Sequence, residues 1–257
     1  MQESVPNNTE ATPQEGCYLV TGGASGIGLA VVERLLADNK LVAVADLQSE
    51  RLDAFRQRYP SVKVFAKDLM TPNAPSELVT SVVQECGPIR GFVHAAGFDR
   101  MELLHLAKEE TLDRLFCIHA KVPILMSGRI SKRGNFLENA SFVMISSLSA
   151  HEGAIGHASY AAAKGALEGF IAPAAAELAK KKIRLNAVVL GVVKTPMSDS
   201  WISNLDEAQT NALLSSYPMG IGTPPDVASM ICFLLSNESK WITGQKIILD
   251  GGHSIRL

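Results

Sequence analysis

Short apolar runs alternate with longer amphipathic stretches along most of the chain. Several of the runs are rich in Val and Ile, which is typical of strands that are covered on both faces of a sheet. Seven runs are predicted as strands, at residues 17–21, 41–46, 62–66, 91–95, 142–146, 185–190 and 246–249. Five stretches with helical periodicity lie between them, at residues 28–39, 76–86, 111–130, 159–181 and 225–235.

This alternation predicts an α/β fold, a doubly wound parallel sheet of about seven strands with helices on both faces. No repeat or linker divides residues 16–257, which we expect to form a single domain. Residues 1–15, rich in Asn, Thr, Pro, Gln and Glu, are predicted to be a disordered N-terminal tail. Residues 195–223 form the one long irregular stretch, with a helical patch near 205–214. We expect a substrate lid there, and the alternative is a plain surface excursion.

Composition excludes several classes of function. Of the 257 residues, 47% are hydrophobic and 19% are charged, and the net charge is -2, so no basic surface for nucleic acid or for an anionic membrane is expected. No apolar run reaches the roughly 20 residues of a membrane-spanning helix. The four cysteines stand singly, which favours free thiols in a reducing cytoplasm over disulfides or a metal site.

A glycine-rich turn follows the first predicted strand and opens the first predicted helix. Such glycines permit a tight turn and a close approach of the backbone to a phosphate, and a helix N-terminus attracts the negative charge of that phosphate. A purely structural turn is the alternative. The residues predicted to hold a dinucleotide pyrophosphate are Thr21, Gly22, Ser25, Gly26, Ile27 and Gly28.

Asp46 ends the second predicted strand, where a carboxylate can bind the ribose hydroxyls of NAD and repel the additional phosphate of NADP. No Arg or Lys follows it directly, and Ser25 stands in the turn where a cation could have met that phosphate. The predicted cofactor is therefore NAD, although Asp46 could instead cap a helix. Asp68 and Leu69, after the third strand, are candidates for binding the adenine, and an ordinary loop role for Asp68 is the alternative.

Ser147, Tyr160 and Lys164 form the candidate catalytic set. Tyr160 and Lys164 are four residues apart and share one helix face. An ammonium beside a phenol favours the phenolate, so we expect a lowered pKa that suits Tyr160 for general acid/base work. Ser147 could then stabilise the charge that develops on a substrate oxygen.

In these motifs the chain resembles the short-chain dehydrogenase/reductase family, of the compact type with a Rossmann-like fold. The resemblance extends over residues 16–252 and includes Ala95-Ala96-Gly97 after the fourth strand. It implies that Tyr160 is the acid/base, that Ser147 orients the substrate and that Lys164 binds the nicotinamide ribose. It also implies that Val193 and Thr195 hold the nicotinamide and that the protein assembles as a homotetramer or homodimer.

The chain departs from the family pattern at three places. His94 and Ala95 replace two asparagines, and Leu190 replaces a proline. His119 stands where the family has a helical asparagine that holds a proton-relaying water. We expect His119 to face Lys164 and to take over this role, with an added pH dependence near the ordinary histidine pKa. The alternatives are a lost relay or a packing residue.

The sequence thus predicts an NAD-dependent oxidoreductase that interconverts a secondary alcohol and a ketone. A non-redox epimerase or dehydratase on the same fold is one alternative, and a catalytically weak NAD-binding protein is another. The substrate and the direction stay open. Four of the polar residues between Ser147 and Tyr160 are further candidates for substrate contact: Ser149, His151, Glu152 and His157.

Overall fold

The computed structural model describes residues 16–255, so the tail predicted at residues 1–15 lies outside the described residues. The strands are β1 (Cys17–Thr21), β2 (Leu41–Asp46), β3 (Lys63–Ala66), β4 (Ile89–His94), β5 (Phe136–Ser147), β6 (Arg184–Leu190) and β7 (Lys246–Leu249). The α-helices are α1 (Gly26–Ala37), α2 (Glu50–Arg58), α3 (Ala74–Cys86), α4 (Glu109–Phe116), α5 (Val122–Ile130), α6 (Ala158–Ala179), α7 (Pro196–Ile202), α8 (Glu207–Ser215) and α9 (Pro224–Leu235).

The seven strands form one sheet in the order β3-β2-β1-β4-β5-β6-β7, and every neighbouring pair is parallel. The predicted doubly wound fold is therefore confirmed. The strand order reverses between β1 and β4, which leaves a crevice at the carboxyl ends of these strands. Ligands of open α/β sheets bind in such a crevice.

Two hydrophobic layers cover the sheet. On one face, α3, α5 and α6 pack against Phe92 and Phe142, whose rings meet edge to face with centroids 5.8 Å apart. On the other face, α1 and α9 pack through Val31 and Ile231, both fully buried. Burial on both faces explains why the strands are apolar without alternation. It also fixes α6 against the end of β5, where the candidate catalytic residues lie.

The helix predicted at residues 111–130 is not continuous. A π-helical turn, Cys117–Lys121, separates α4 from α5, and the amide of Val122 donates to the carbonyl of Cys117 five residues earlier. Pro123 in the first turn of α5 explains the interruption, because it has no N–H for the carbonyl of His119 and its ring would clash with that carbonyl. The turn carries His119.

Two other expectations from the sequence need correction. Helix α2 was not predicted, because it is mostly polar and buries only Leu52 and Phe55. The stretch predicted to be largely irregular at residues 195–223 contains two helices, α7 and α8. Each begins with a reciprocal capping box, at Thr195 with Ser198 and at Asp206 with Gln209, which satisfies the free amides of these short helices.

Candidate active site

The glycine turn leaves no space for side chains between β1 and α1. A Cβ on Gly28 would lie 2.1 Å from the carbonyl oxygen of Gly22, and a Cβ on Gly22 would lie 2.7 Å from the amide of Ala96. Gly22 also has φ +68, a left-handed conformation that favours glycine. Ser25 precedes α1, and its side chain makes no capping bond. The helix N-terminus therefore presents backbone amides, as an anion-binding turn requires.

The start of the predicted lid closes on the same turn. The methyl carbon of Thr195 lies 3.5 Å from the position of a Cβ on Gly26. Val193 is buried and pairs with Gly222, and its carbonyl accepts from the hydroxyl of Ser198. The structure thus brings the two predicted nicotinamide residues, Val193 and Thr195, beside the predicted pyrophosphate turn.

The carboxylate of Asp46 braces the turn. Its two oxygens accept from the amides of Ala24, at 2.9 Å, and Leu47, at 2.8 Å. Each carboxylate oxygen has a further lone pair, so a ribose hydroxyl can still bind. One carboxylate oxygen of Asp68 already accepts a hydrogen bond within its own loop, from the amide of Met70 at 2.9 Å. The side chain of Leu69 is buried.

The side chains of Thr21 and His94 are buried and hydrogen-bond to each other. His94 donates through Nε2 to the carbonyl of Ile118 at 2.8 Å, so its Nδ1 accepts from the hydroxyl of Thr21 at 2.9 Å. Burial lowers the pKa of His94 to about 4, which keeps the ring neutral. The Thr21 hydroxyl also accepts from the amide of Ala96 at 3.3 Å. Its side chain shapes the loop at Ala95-Ala96-Gly97, and only its backbone remains for a cofactor.

His119 completes a reciprocal link between this loop and the π-helical turn. Its Nε2 donates to the carbonyl of Phe98 at 2.8 Å, and its ring packs on Gly97, where a Cβ would lie 2.4 Å from Cε1. The ring also meets Tyr160 edge to face, with centroids 5.2 Å apart. In the described chain its buried Nδ1 has no hydrogen-bond partner.

The pH dependence expected of His119 needs correction. Burial, followed by the nearby Lys164 ammonium, lowers the pKa of His119 well below its ordinary value. The imidazole is therefore neutral near neutral pH, and its ionisation does not fall near the ordinary histidine pKa.

Ser147, Tyr160 and Lys164 come together where β5 ends against α6. The Lys164 ammonium donates to the carbonyl of Ile145 at 2.8 Å and lies 5.5 Å from the centre of the Tyr160 ring. The Ser147 hydroxyl lies close enough to the Tyr160 phenol to lower the pKa of that phenol. The Ser147 hydroxyl also donates to the hydroxyl of Ser149 at 3.1 Å.

Burial dominates the electrostatics of this set. It raises the pKa of Tyr160, with a further rise from Asp99 and a lowering by Ser147. Burial also lowers the pKa of Lys164 to about 7, against the charges of Asp99 and Glu168, which raise it. The lowered Tyr160 pKa expected from the spacing is therefore wrong for this structure, because removing a phenolate from water outweighs its partners.

Sequence reasoning missed two carboxylates that flank Lys164. Glu168, one helical turn beyond Lys164, is buried and accepts from the hydroxyl of Ser146 at 2.7 Å and from Nε2 of His151 at 2.9 Å. Asp99 lies in the loop after β4 and forms a 3.3 Å ion pair with His157. Spacing from Lys164 could have identified Glu168, and the position after a strand could have identified Asp99.

The four candidate residues between Ser147 and Tyr160 separate into different surroundings. Ser149 bonds to Ser147, and His157 lies with its ring 6.2 Å from that of Tyr160. His151 is bound to Glu168, and Glu152 pairs with His253 near the C-terminus at 3.4 Å. Only Ser149 and His157 therefore touch the candidate catalytic set.

The pKa of Lys164 predicts a specific dependence of stability on pH. Between about pH 7 and the ordinary lysine pKa of 10.5, the unfolded chain binds more protons at Lys164 than the folded protein does. The free energy of unfolding therefore falls as pH falls through this range toward about 7. From about pH 7 to about pH 9, we expect the free energy of unfolding to rise relative to Lys164→Met by up to about 1.4 kcal/mol per pH unit. Urea titrations of both nucleotide-free proteins measure it. Lys180→Met, at an exposed position at the end of the same helix, is the control. The expectation would be contradicted if the free energies of unfolding of wild type and Lys164→Met changed with pH in parallel.

Membrane-spanning helices and metal-binding groups are both absent from residues 16–255. None of the helices there is long and apolar enough to cross a membrane. No group of three or more His, Cys, Asp or Glu side chains within those bounds is arranged to hold a metal ion.

Known proteins resemble this chain over nearly all of its length. A family model described as enoyl-(acyl carrier protein) reductase matches residues 22–254. A 3-oxoacyl-[acyl-carrier-protein] reductase of Thermotoga maritima is 34% identical and is aligned over 91% of this chain and 96% of its own. A diacetyl reductase [(S)-acetoin forming] of Staphylococcus epidermidis is 31% identical over the same shares of the two chains.

Solved structures share the fold. A Brucella melitensis short-chain dehydrogenase/reductase, described as a glucose/ribitol dehydrogenase, superposes with a TM-score of 0.86 at 26% identity, over 94% of this chain and 98% of its own. An NADPH-bound short-chain oxidoreductase of Pseudomonas aeruginosa with an atypical catalytic centre superposes with a TM-score of 0.82 at 25% identity, over 95% and 98%. The chain is an oxidoreductase acting on CH–OH groups, and it belongs to the short-chain dehydrogenase/reductase family.

Proposed function

We propose that this protein is an NAD-dependent oxidoreductase that interconverts a secondary alcohol and a ketone, with Tyr160 as the general acid/base. The observation that carries the proposal is the meeting of Ser147, Tyr160 and Lys164 at the end of β5. β5 neighbours β4, so these residues lie beside the crevice that the glycine turn lines.

The residues of the crevice fit a dinucleotide. Gly22 and Gly28 let the backbone fold tightly on itself, because a Cβ on either would collide with backbone atoms. The N-terminus of α1, which has no side-chain cap, is then open to a pyrophosphate. Asp46 would bind the adenosine ribose, Lys164 the nicotinamide ribose, and Val193 with Thr195 the carboxamide. Bound NAD supplies the acceptor of the hydride.

The protein's own side chains handle the proton. In the oxidation, the substrate C–H bond breaks with its electron pair, the C–O bond becomes a carbonyl, and the hydroxyl proton passes to the Tyr160 oxygen. Ser147 donates to the same substrate oxygen and stabilises its developing charge. Because burial disfavours the Tyr160 phenolate, which is the base in oxidation, its formation depends on the positive charge of the nearby Lys164 ammonium. In reduction, the protonated Tyr160 phenol donates its proton to the substrate oxygen.

His119 is proposed to assist Lys164 without changing charge. Its Nε2–H is committed to the Phe98 carbonyl, which leaves Nδ1 as an acceptor with no partner in the described chain. A water held by this acceptor could exchange protons with the Lys164 ammonium. The neutral ring supports a hydrogen-bonding role over a titrating one.

Assembly and location are also proposals. We propose a homo-oligomer, a tetramer or dimer, because Trp241 is 96% exposed beside the edge strand β7, where Ile248 is also exposed. The four cysteines are free thiols, which supports the cytoplasm. We propose that α7 and α8 form a lid over the substrate, because they follow Thr195 at the glycine turn.

Replacing Tyr160 by Phe tests the chemistry. We expect kcat to fall below about a tenth of the wild-type value while the NAD dissociation constant stays within about threefold, because only the transferable proton is lost. Stopped assays of NADH formation and calorimetric titration measure the two quantities. Tyr59→Phe, far from the site at the end of α2, is the matched control. A Tyr160→Phe protein that keeps most of its kcat would assign the proton transfer to another group.

Cofactor choice depends on Asp46. We expect NAD to bind at least about 10-fold more tightly than NADP, or about 1.4 kcal/mol, because the carboxylate repels the added phosphate. Asp46→Ala should narrow this difference, and Asp53→Ala on the exposed face of α2 should not. Titration of each protein with both nucleotides gives the ratios, and equal or tighter binding of NADP by the wild type would reject NAD as the preferred cofactor.

His119 is tested by two replacements of different chemistry. His119→Asn keeps an acceptor and should retain activity, whereas His119→Leu should be slow at every pH, because it removes the acceptor. Since the ring is neutral, wild type and His119→Asn should show the same pH profile of kcat from about pH 6 upward. A fully active leucine variant would show that His119 only packs against Tyr160.

A further inference from the structure

Three buried polar atoms without partners lie around Tyr160. Among the six such atoms within residues 16–255, they are Oδ1 of Asp99, Nδ1 of His119 and Nδ1 of His157, whereas those of Ser127 and Arg129 lie on α5. The rings of both histidines meet that of Tyr160 edge to face. Buried polar groups are nearly always hydrogen-bonded, so a group of exceptions in a candidate active site indicates where a ligand supplies the missing partners.

Asp99 has one oxygen in use and one free. Its Oδ2 accepts from Nε2 of His157 at 3.3 Å, and the carboxylate is only 15% exposed. Oδ1 is buried without a partner in the described chain. Asp99 lies near the reacting groups, because its partner His157 meets the Tyr160 ring with centroids 6.2 Å apart. In agreement with this position, the charge of Asp99 raises the pKa of both Tyr160 and Lys164.

His157 holds Asp99 in place. The hydrogen bond to Asp99 raises the pKa of His157, and the nearby Ile155 carbonyl adds to this rise. The loops that carry the two residues are joined, because the amide of Glu102 donates to the carbonyl of Gly156 at 2.9 Å. Asp99 is therefore a positioned acceptor and not a mobile surface carboxylate.

We propose that Asp99 is the specificity-determining residue, and that its free Oδ1 accepts a hydrogen bond from a hydroxyl next to the reacting carbon. The substrate is then a small vicinal diol, or the corresponding α-hydroxy ketone. A carboxylate at that position would be repelled by Asp99, and an alkyl group would leave the acceptor unpaired in a buried place. The proposal rests on the proposed function, because Tyr160 defines the reacting carbon.

Matched ligands test this preference without requiring turnover. Calorimetry on Tyr160→Phe protein saturated with NAD would compare vicinal butanediol with secondary butanol, and vicinal cyclohexanediol with cyclohexanol. We expect the diol to bind at least about 10-fold more tightly in at least one pair, because a hydrogen bond to a buried charged group is at stake. Lactate, whose carboxylate oxygens stand where the diol has its second hydroxyl, should bind more weakly than the preferred diol.

Variants assign the preference to Asp99. Adding Asp99→Leu should reduce the diol preference to within about threefold, because the acceptor is gone. Adding Asp99→Asn should strengthen the binding of lactate, because the repelling charge is gone. Asp113→Asn, exposed on α4, is the control and should change neither.

Equal binding within both pairs, no measurable binding of either diol, or a diol preference that survives Asp99→Leu would overturn the proposal. Failure of the proposed function would be seen separately, as a wild-type enzyme that binds a diol and NAD together but forms no NADH.

Discussion

The whole site depends on one constraint, the parallel arrangement of all seven strands. Because every strand runs the same way, the ends of β1, β2, β4, β5 and β6 meet at one edge of the sheet. The order reverses between β1 and β4, so the loops after these strands diverge and leave a crevice. The glycine turn follows β1, the Asp99 loop follows β4 and Ser147 ends β5. Residues that are far apart in the chain are thereby placed around one crevice.

Burial sets the chemistry at this edge. Tyr160 and Lys164 face the sheet from α6, and the cost of removing their charges from water moves both groups toward their neutral forms. Polar groups offset part of this cost for Lys164. Its ammonium donates to the Ile145 carbonyl, and the charges of Asp99 and Glu168 raise its pKa. Lys164, whose pKa is lowered to about 7, can therefore hold or release a proton near neutral pH, whereas burial favours the protonated form of Tyr160.

Two histidines, His94 and His119, stand where the family has asparagines, and each bonds to the segment that carries the other. His94 reaches from β4 to the carbonyl of Ile118, and His119 reaches back from the π-helical turn to the carbonyl of Phe98. Both are neutral and donate through Nε2. The pair ties the loop after β4 to the interrupted helix and leaves one acceptor, His119 Nδ1, without a partner in the described chain.

The sequence by itself determined the fold, the glycine turn and the pairing of Tyr160 with Lys164, because these depend on local patterns: buried apolar strands, a strand followed by glycines, and residues one helical turn apart. It could not determine the direction of the Tyr160 pKa shift, since burial depends on how α6 packs on the sheet. Nor could it give the meeting of Asp99 with His157, which are 58 residues apart. Those features arise only when the carboxyl ends of the strands are brought together, because long-range contacts and desolvation belong to the tertiary structure.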